Sequence, residues 1–188
     1  MKVFMVRHGE SETNRNGLWT GWLDVSLTEK GSEEAVQVGK MLSKINFDKI
    51  YVSDLSRARN TADIAIPGCK YDIDQDLREI NVGNIAGRPL DIISGDDGIP
   101  KNKDGYTAFG GESKARFNAR VVSFMKKLEV SGYENVAVFS HAGFLRSTLD
   151  FVVGTELERK NVCCKNCAIG IFEYDGDSWK LHSWINLK

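Results

Sequence analysis

The chain has 188 residues, of which 41% are hydrophobic and 27% charged, an ordinary globular mix that excludes a disordered chain and suits one core. Its formal net charge is −1, so no general attraction to nucleic acid or acidic membranes is expected, and any anion site has to be built locally. A single domain spanning residues 1–188 is predicted.

Residues 2–6 (Lys-Val-Phe-Met-Val) form an apolar run that meets Arg7 and His8 at once. It is too short for a signal-peptide core or a membrane span, and a cytoplasmic protein is expected. The run suits a central strand with Arg7 and His8 at its carboxyl end. Gly9 through Gly21 reads as a loop, after which Thr28 caps a helix over Glu29–Lys44, with Ala35, Val38, Leu42 and Ile45 on one face. A strand at Lys49–Ser53 leads through a polar turn into a helix ending near Ala65 that carries Arg57 and Arg59. Tyr71–Ile80 reads as extended. Residues 81–111, rich in Gly, Asp and Pro and lacking periodicity, read mostly as loop. Phe117, Val121, Phe124 and Leu128 mark an amphipathic helix between Glu112 and Val130, and Asn135–Ser140 is a buried strand that delivers His141. Leu145–Val153 reads as helix, and Cys167–Tyr174 with Trp179–Ile185 as a hairpin around Asp175-Gly176-Asp177.

Strands alternating with helices predict an α/β layered fold with a largely parallel sheet, whose binding crevice lies outside the carboxyl ends of the strands. His8 and His141 both fall at such ends, and Arg7 and Arg57 can reach the same rim. The four cysteines include Cys163, Cys164 and Cys167, and the last two make a formal CxxC. A zinc site would need a second ligand pair, and His182 is the only histidine nearby downstream, so reduced cysteines are the reading and no metal is expected. The sequence identifies no edge strand or apolar face that would fix an oligomeric state.

Two histidines, two arginines and a carboxylate at one rim suit phosphoryl transfer. Guanidinium forks match the non-bridging oxygens of a phosphoryl group and offset its charge against an incoming nucleophile. Neutral imidazole can attack phosphorus and hold the group as an N–P adduct. The leaving alkoxide then needs a proton, which Glu79 in Leu-Arg-Glu-Ile could supply. Each residue also has a plainer use: a strand-end histidine is commonly structural, Arg57 would ordinarily be a solvated helix face, Glu79 a surface carboxylate, and Asn14 and Thr20 turn or capping groups.

Several ordered motifs resemble the histidine phosphatase superfamily, which includes the cofactor-dependent phosphoglycerate mutases. They are Arg7-His8-Gly9-Glu10-Ser11-Glu12-Thr13-Asn14, Thr20-Gly21-Trp22-Leu23-Asp24, Leu27-Thr28-Glu29-Lys30-Gly31, Ser53-Asp54-Leu55-Ser56-Arg57-Ala58-Arg59, Leu77-Arg78-Glu79, Gly110-Gly111-Glu112-Ser113 and Ser140-His141-Ala142-Gly143. The resemblance implies a three-layer α/β/α sandwich with a mostly parallel central sheet. It makes His8 the phosphorylated nucleophile, with Arg7, Arg57 and His141 completing the phosphate pocket and Glu79 donating the proton. It places Asn14 on phosphate, Thr20 and Gly21 in a loop on the substrate side, and an amide donor at Ala142. It implies neither a metal nor an organic cofactor.

Phosphatase and mutase share this intermediate and differ in the acceptor. The mutases resembled carry a longer insertion after the acid, with a lysine and an adjacent arginine pair that grip the substrate; this chain has Arg88, Lys101 and Lys103 there, no adjacent pair, and a short connection to Gly110. That favours a phosphatase of a small phosphate ester (a sugar, nucleotide or cobalamin-precursor phosphate), although residues 18–24 look mutase-like. Residues 81–111 are expected to cover the pocket and choose the substrate. A phosphoprotein phosphatase, or a phosphate-binding protein without turnover, is the remaining alternative.

Overall fold

The computed structural model describes residues 1–90, 104–158 and 161–187. The strands are β1 (Lys2–Arg7), β2 (Lys49–Val52), β3 (Asp72–Ile73), β4 (Asn135–Ser140), β5 (Ile169–Tyr174) and β6 (Trp179–Ile185). The helices are α1 (Glu12–Arg15), α2 (Glu29–Leu42), α3 (Ser56–Ala65), α4 (Lys114–Glu129) and α5 (Ala142–Val153). One six-stranded sheet runs β3-β2-β4-β1-β5-β6. The pairs β3–β2, β2–β4 and β4–β1 are parallel, and the C-terminal hairpin β5–β6 adds antiparallel pairings, so the sheet is mixed and mostly parallel, as expected.

The period of two along the strands divides the core into two layers. Val3 and Met5 of β1 join Tyr51, Val136 and Val138 under Phe117, Phe124 and Leu128 of α4 and Phe144 and Leu145 of α5. Phe4 and Val6 point the other way, with Val52 and Phe139, onto Val38 and Leu42 of α2 and Ala58 and Ala62 of α3. Each such fully buried aliphatic or aromatic side chain contributes roughly 1.5–3 kcal/mol, which is why β1, apolar on both faces, sits inside the sheet. This is the three-layer α/β/α arrangement.

Local departures from the sequence reading have local causes. Within residues 9–21, α1 forms a single turn because Ser11 and Asn14 make a reciprocal capping box. The extended stretch at 71–80 shrinks to Asp72–Ile73, since the Asp74 carboxylate accepts Asp76 N–H and turns the chain into a 3-10 turn at Gln75–Leu77. Thr28 caps α2 as predicted, accepting Gly31 N–H. In the described part of 81–111, residues 87–90 pair with 17–19: Trp19 N–H donates to Arg88 O at 2.9 Å, and Leu90 N–H to Gly17 O at 2.8 Å. Lys101 and Lys103 lie outside the described residues. Among the described residues no helix is long and apolar enough to cross a membrane, and no group of three or more His, Cys, Asp or Glu could hold a metal.

Candidate active site

The parallel register of β1 and β4 pairs Arg7 with Ser140, so the next residue of each strand, His8 and His141, emerges side by side at the carboxyl edge. Their ring centroids lie 5.1 Å apart. His8 Nδ1 is 2.7 Å from Gly9 O. A carbonyl can only accept, so Nδ1 carries the proton and Nε2 keeps its lone pair. Agreeing with this, Arg57 Nε donates to His8 Nε2 at 3.2 Å. Burial, then the charges of Arg57 and Arg7, hold the His8 imidazolium well below the ordinary histidine range. His8 is therefore neutral at pH 7. His141 is pushed the same way, first by burial and next by Arg57; its Nε2 meets Ser53 Oγ at 2.9 Å, while its buried Nδ1 has no partner among the described residues.

Arg57 departs furthest from its plain reading as a solvated helix face, being fully buried. Its Nη1 and Nη2 donate to Leu23 O and Gly21 O at 2.9 and 2.8 Å. Burial lowers its pKa to about 10, which leaves it cationic at neutral pH. Gly21 supplies that carbonyl from φ +49°, and a Cβ there would meet Val82 Cγ2 at 2.6 Å, so glycine is required on both counts. Asp24 fixes the entry to α3, accepting Ser56 N–H and Oγ–H at 2.8 Å each.

A cleft of about 310 Å³ opens beside this cluster, lined by Arg7, Asn14, Thr20, Gly21, Glu79 and Ala142, together with Leu18, Trp19, Tyr106, Gly143 and Arg146. His8, next in the chain to Arg7, is 4% exposed, and neither it nor the fully buried Arg57 and His141 is among the lining residues. Arg7 Nη1 donates to Cys164 O at 2.6 Å, and its buried Nε has no partner among the described residues. Asn14 caps α1, as its plain reading had it, yet also lines the cleft. Its Oδ1 accepts from Asn166 Nδ2 at 2.9 Å, and Asn166 Nδ2 also reaches His8 O at 3.3 Å. Thr20 Oγ1 meets Thr13 Oγ1 at 2.6 Å.

Glu79 stands against the first turn of α5, at Gly143. Its carboxylate accepts Gly143 N–H at 3.0 Å and Ile80 N–H at 2.9 Å. The Gly143 amide thus serves the carboxylate, while Ala142, before it in the chain, lines the cleft. A Cβ on Gly143 would fall 2.0 Å from Glu79 Oε1, so this glycine exists to admit the carboxylate. α5 accordingly begins at Ala142, three residues before the predicted start.

Several supporting residues escaped the sequence reading. Arg120 on α4 donates to both carboxylate oxygens of Glu112 at 2.9 and 3.0 Å, and to the carbonyls of Asp76, Arg78 and Glu79 at 2.5, 2.6 and 2.9 Å. Glu112 Oε2 also accepts Asn81 N–H at 3.2 Å, and Trp22 Nε1 donates to Glu79 O at 2.7 Å. The chain that carries Glu79 is therefore gripped from both sides. Glu112 and Ser53 stood in recognisable motifs without a role; Arg120 and Asn166 carried no local signal at all.

A profile of the histidine phosphatase superfamily (branch 1) matches residues 3–187. The chain is 28% identical over 195 residues to a probable phosphoglycerate mutase of Salmonella paratyphi A, covering 98% of this chain and 90% of that protein. Among solved structures it is similar to a candidate alpha-ribazole-5'-P phosphatase from Escherichia coli, with TM-score 0.84, 25% identity and coverage of 99% and 96%. It also resembles a phosphoglycerate mutase from Thermus thermophilus, with TM-score 0.77, 27% identity and full coverage of both chains.

Proposed function

Because the chain belongs to the histidine phosphatase superfamily, branch 1, we propose that it is a phosphomonoesterase that carries the phosphoryl group of a small phosphorylated metabolite on His8. The observation that supports this most is the state of His8: neutral, with Nδ1–H tied to Gly9 O, and with the Nε2 lone pair facing Arg57 Nε at 3.2 Å. A phosphoryl oxygen entering from the cleft takes over the Arg57 donor and frees Nε2. That nitrogen then attacks phosphorus as the P–O bond to the alcohol breaks. The charge that develops on the ring is stabilised through Nδ1–H and Gly9 O.

Arg7, Arg57 and His141 hold the transferring group in this scheme, with Asn14 at its edge. Thr20, Gly21 and the Ala142 turn shape the substrate side. Glu79 gives its proton to the departing alkoxide and then takes one from the water that attacks phosphorus, breaking the P–N bond and restoring neutral His8. No metal or organic cofactor enters these steps. The alcohol is that of a small phosphorylated metabolite, of which sugar, nucleotide and cobalamin-precursor phosphates are candidates, and described residues Val82, Leu90 and Tyr106 of the 81–111 stretch line its side of the cleft.

Denaturing with detergent at alkaline pH during turnover is expected to trap on the wild type a phosphoryl adduct that is later lost in acid, and none on His8→Ala, with turnover abolished. An adduct that survives in His8→Ala removes the assignment. The second reading is a mutase, favoured by the names of the Salmonella and Thermus relatives. Supplied with 3-phosphoglycerate and its bisphosphate, the protein is expected to release phosphate faster than it forms 2-phosphoglycerate; the reverse ranking makes it a mutase.

A further inference from the structure

One cation on the cleft wall has no part in the steps above. Arg146 lies on α5, five residues beyond His141, which places its backbone roughly 7 Å along the helix axis from the second histidine. Helical side chains lean toward the helix N-terminus, so the guanidinium reaches back toward the cleft, which it lines with Arg7, Asn14 and Glu79. It is half-buried, and its stem is anchored where Nε donates to Val162 O at 3.3 Å. Its Nη atoms have no hydrogen-bond or ion-pair partner among the described residues. Arg7 is close enough to act on it as a like charge. Two guanidinium groups of like charge on one cleft wall repel each other, and an anion held between or beside them turns that repulsion into attraction.

Arg146 also borders a smaller recess formed with Lys114, Ser147, Asp150, Glu156 and Leu157; Glu156 there is already paired with Lys114. Leu18, Trp19 and Val82 line the cleft as well and suit a short carbon skeleton. Resting on the reading that this cleft takes a phosphoryl group, we propose that Arg146 is a carboxylate subsite and that the preferred substrates are phosphomonoesters whose alcohol part bears a carboxylate. A single guanidinium fork matches one planar carboxylate bidentately, whereas a second phosphate dianion would call for more than one cation. The substrate-reading cation thus comes from the helix after the second histidine.

Titration calorimetry with two ligands that cannot be hydrolysed tests the subsite separately from catalysis. 3-Phosphonopropionate and propylphosphonate share a phosphonate and a three-carbon chain and differ in a carboxylate against a methyl group. The wild type is expected to bind the carboxylate ligand roughly tenfold or more tightly than its partner. Arg146→Gln brings the ratio of the two affinities close to one, and Arg146→Lys leaves an intermediate ratio. No preference in the wild type, equal weakening of both ligands by Arg146→Gln, a preference that survives it, or no binding of either ligand would each overturn the subsite. Because neither ligand reports on turnover, a missing phosphohistidine adduct leaves this result standing, and failure here leaves the adduct standing.

Discussion

At the scale of single residues, chemistry is set by what each polar atom has already been given. His8 offers Nε2 because Gly9 O has claimed Nδ1–H, and Glu79 is aimed because Gly143 N–H and Ile80 N–H hold its two oxygens. Glu79→Gln removes the proton, and Gly143→Ala puts a methyl group where the carboxylate sits, so both are expected to give one kinetic signature. Each should lower kcat/KM for an alkyl phosphate by about 10²–10³ and for p-nitrophenyl phosphate, whose leaving group needs no proton, by about tenfold or less. If both esters lose the same factor, Glu79 is not the acid. His8, Arg7 and His141 were legible as strand-end residues. Gly143 was not, because the atom it makes room for is 64 residues away in sequence.

At the scale of elements, the acid-bearing segment is an irregular stretch stiffened by a helix. Leu77 is buried, but Arg78, Glu79 and the carbonyls around them are held by Arg120 of α4, whose pair with Glu112 has side-chain exposures of 11% and 5%. Arg120→Met strands a buried carboxylate and is expected to cost about 3–5 kcal/mol in urea unfolding, whereas Arg120→Met with Glu112→Leu should cost clearly less than the sum of the single changes. In kinetics Arg120→Met should follow the Glu79→Gln pattern, losing more on the alkyl phosphate than on p-nitrophenyl phosphate. A uniform loss on both would make Arg120 a matter of folding alone. Amphipathic period revealed α2 and α4 closely, while α5 begins three residues before its predicted start, on a turn where Gly143 packs against Glu79.

For the whole molecule, burying two histidines beside two arginines couples stability to pH. In the unfolded chain His8 and His141 take up protons near pH 6.5, whereas in the folded protein burial chiefly, and Arg57 next, keep both neutral to well below that. The unfolded state therefore binds more protons as pH falls, so their contribution is full above pH 6.5 and is lost below it, by up to about 1.4 kcal/mol per pH unit for each histidine. Urea midpoints are expected to fall between pH 7 and pH 5, and His8→Asn to reduce that slope by roughly half; an unchanged slope would mean His8 titrates normally when folded. The sequence by itself determined the layered α/β fold, the strand-end placement of His8 and His141, and the family, because hydrophobic period and short motifs are local and are written wherever the chain passes. Only the tertiary structure decided that Arg57 is a fully buried donor to His8, that Arg120 grips the Glu79 segment, and that Arg146 lines the cleft beside Arg7 and Glu79. Those roles depend on which carbonyl or carboxylate a side chain meets across the core, and such pairings between distant segments leave no periodic trace along the chain.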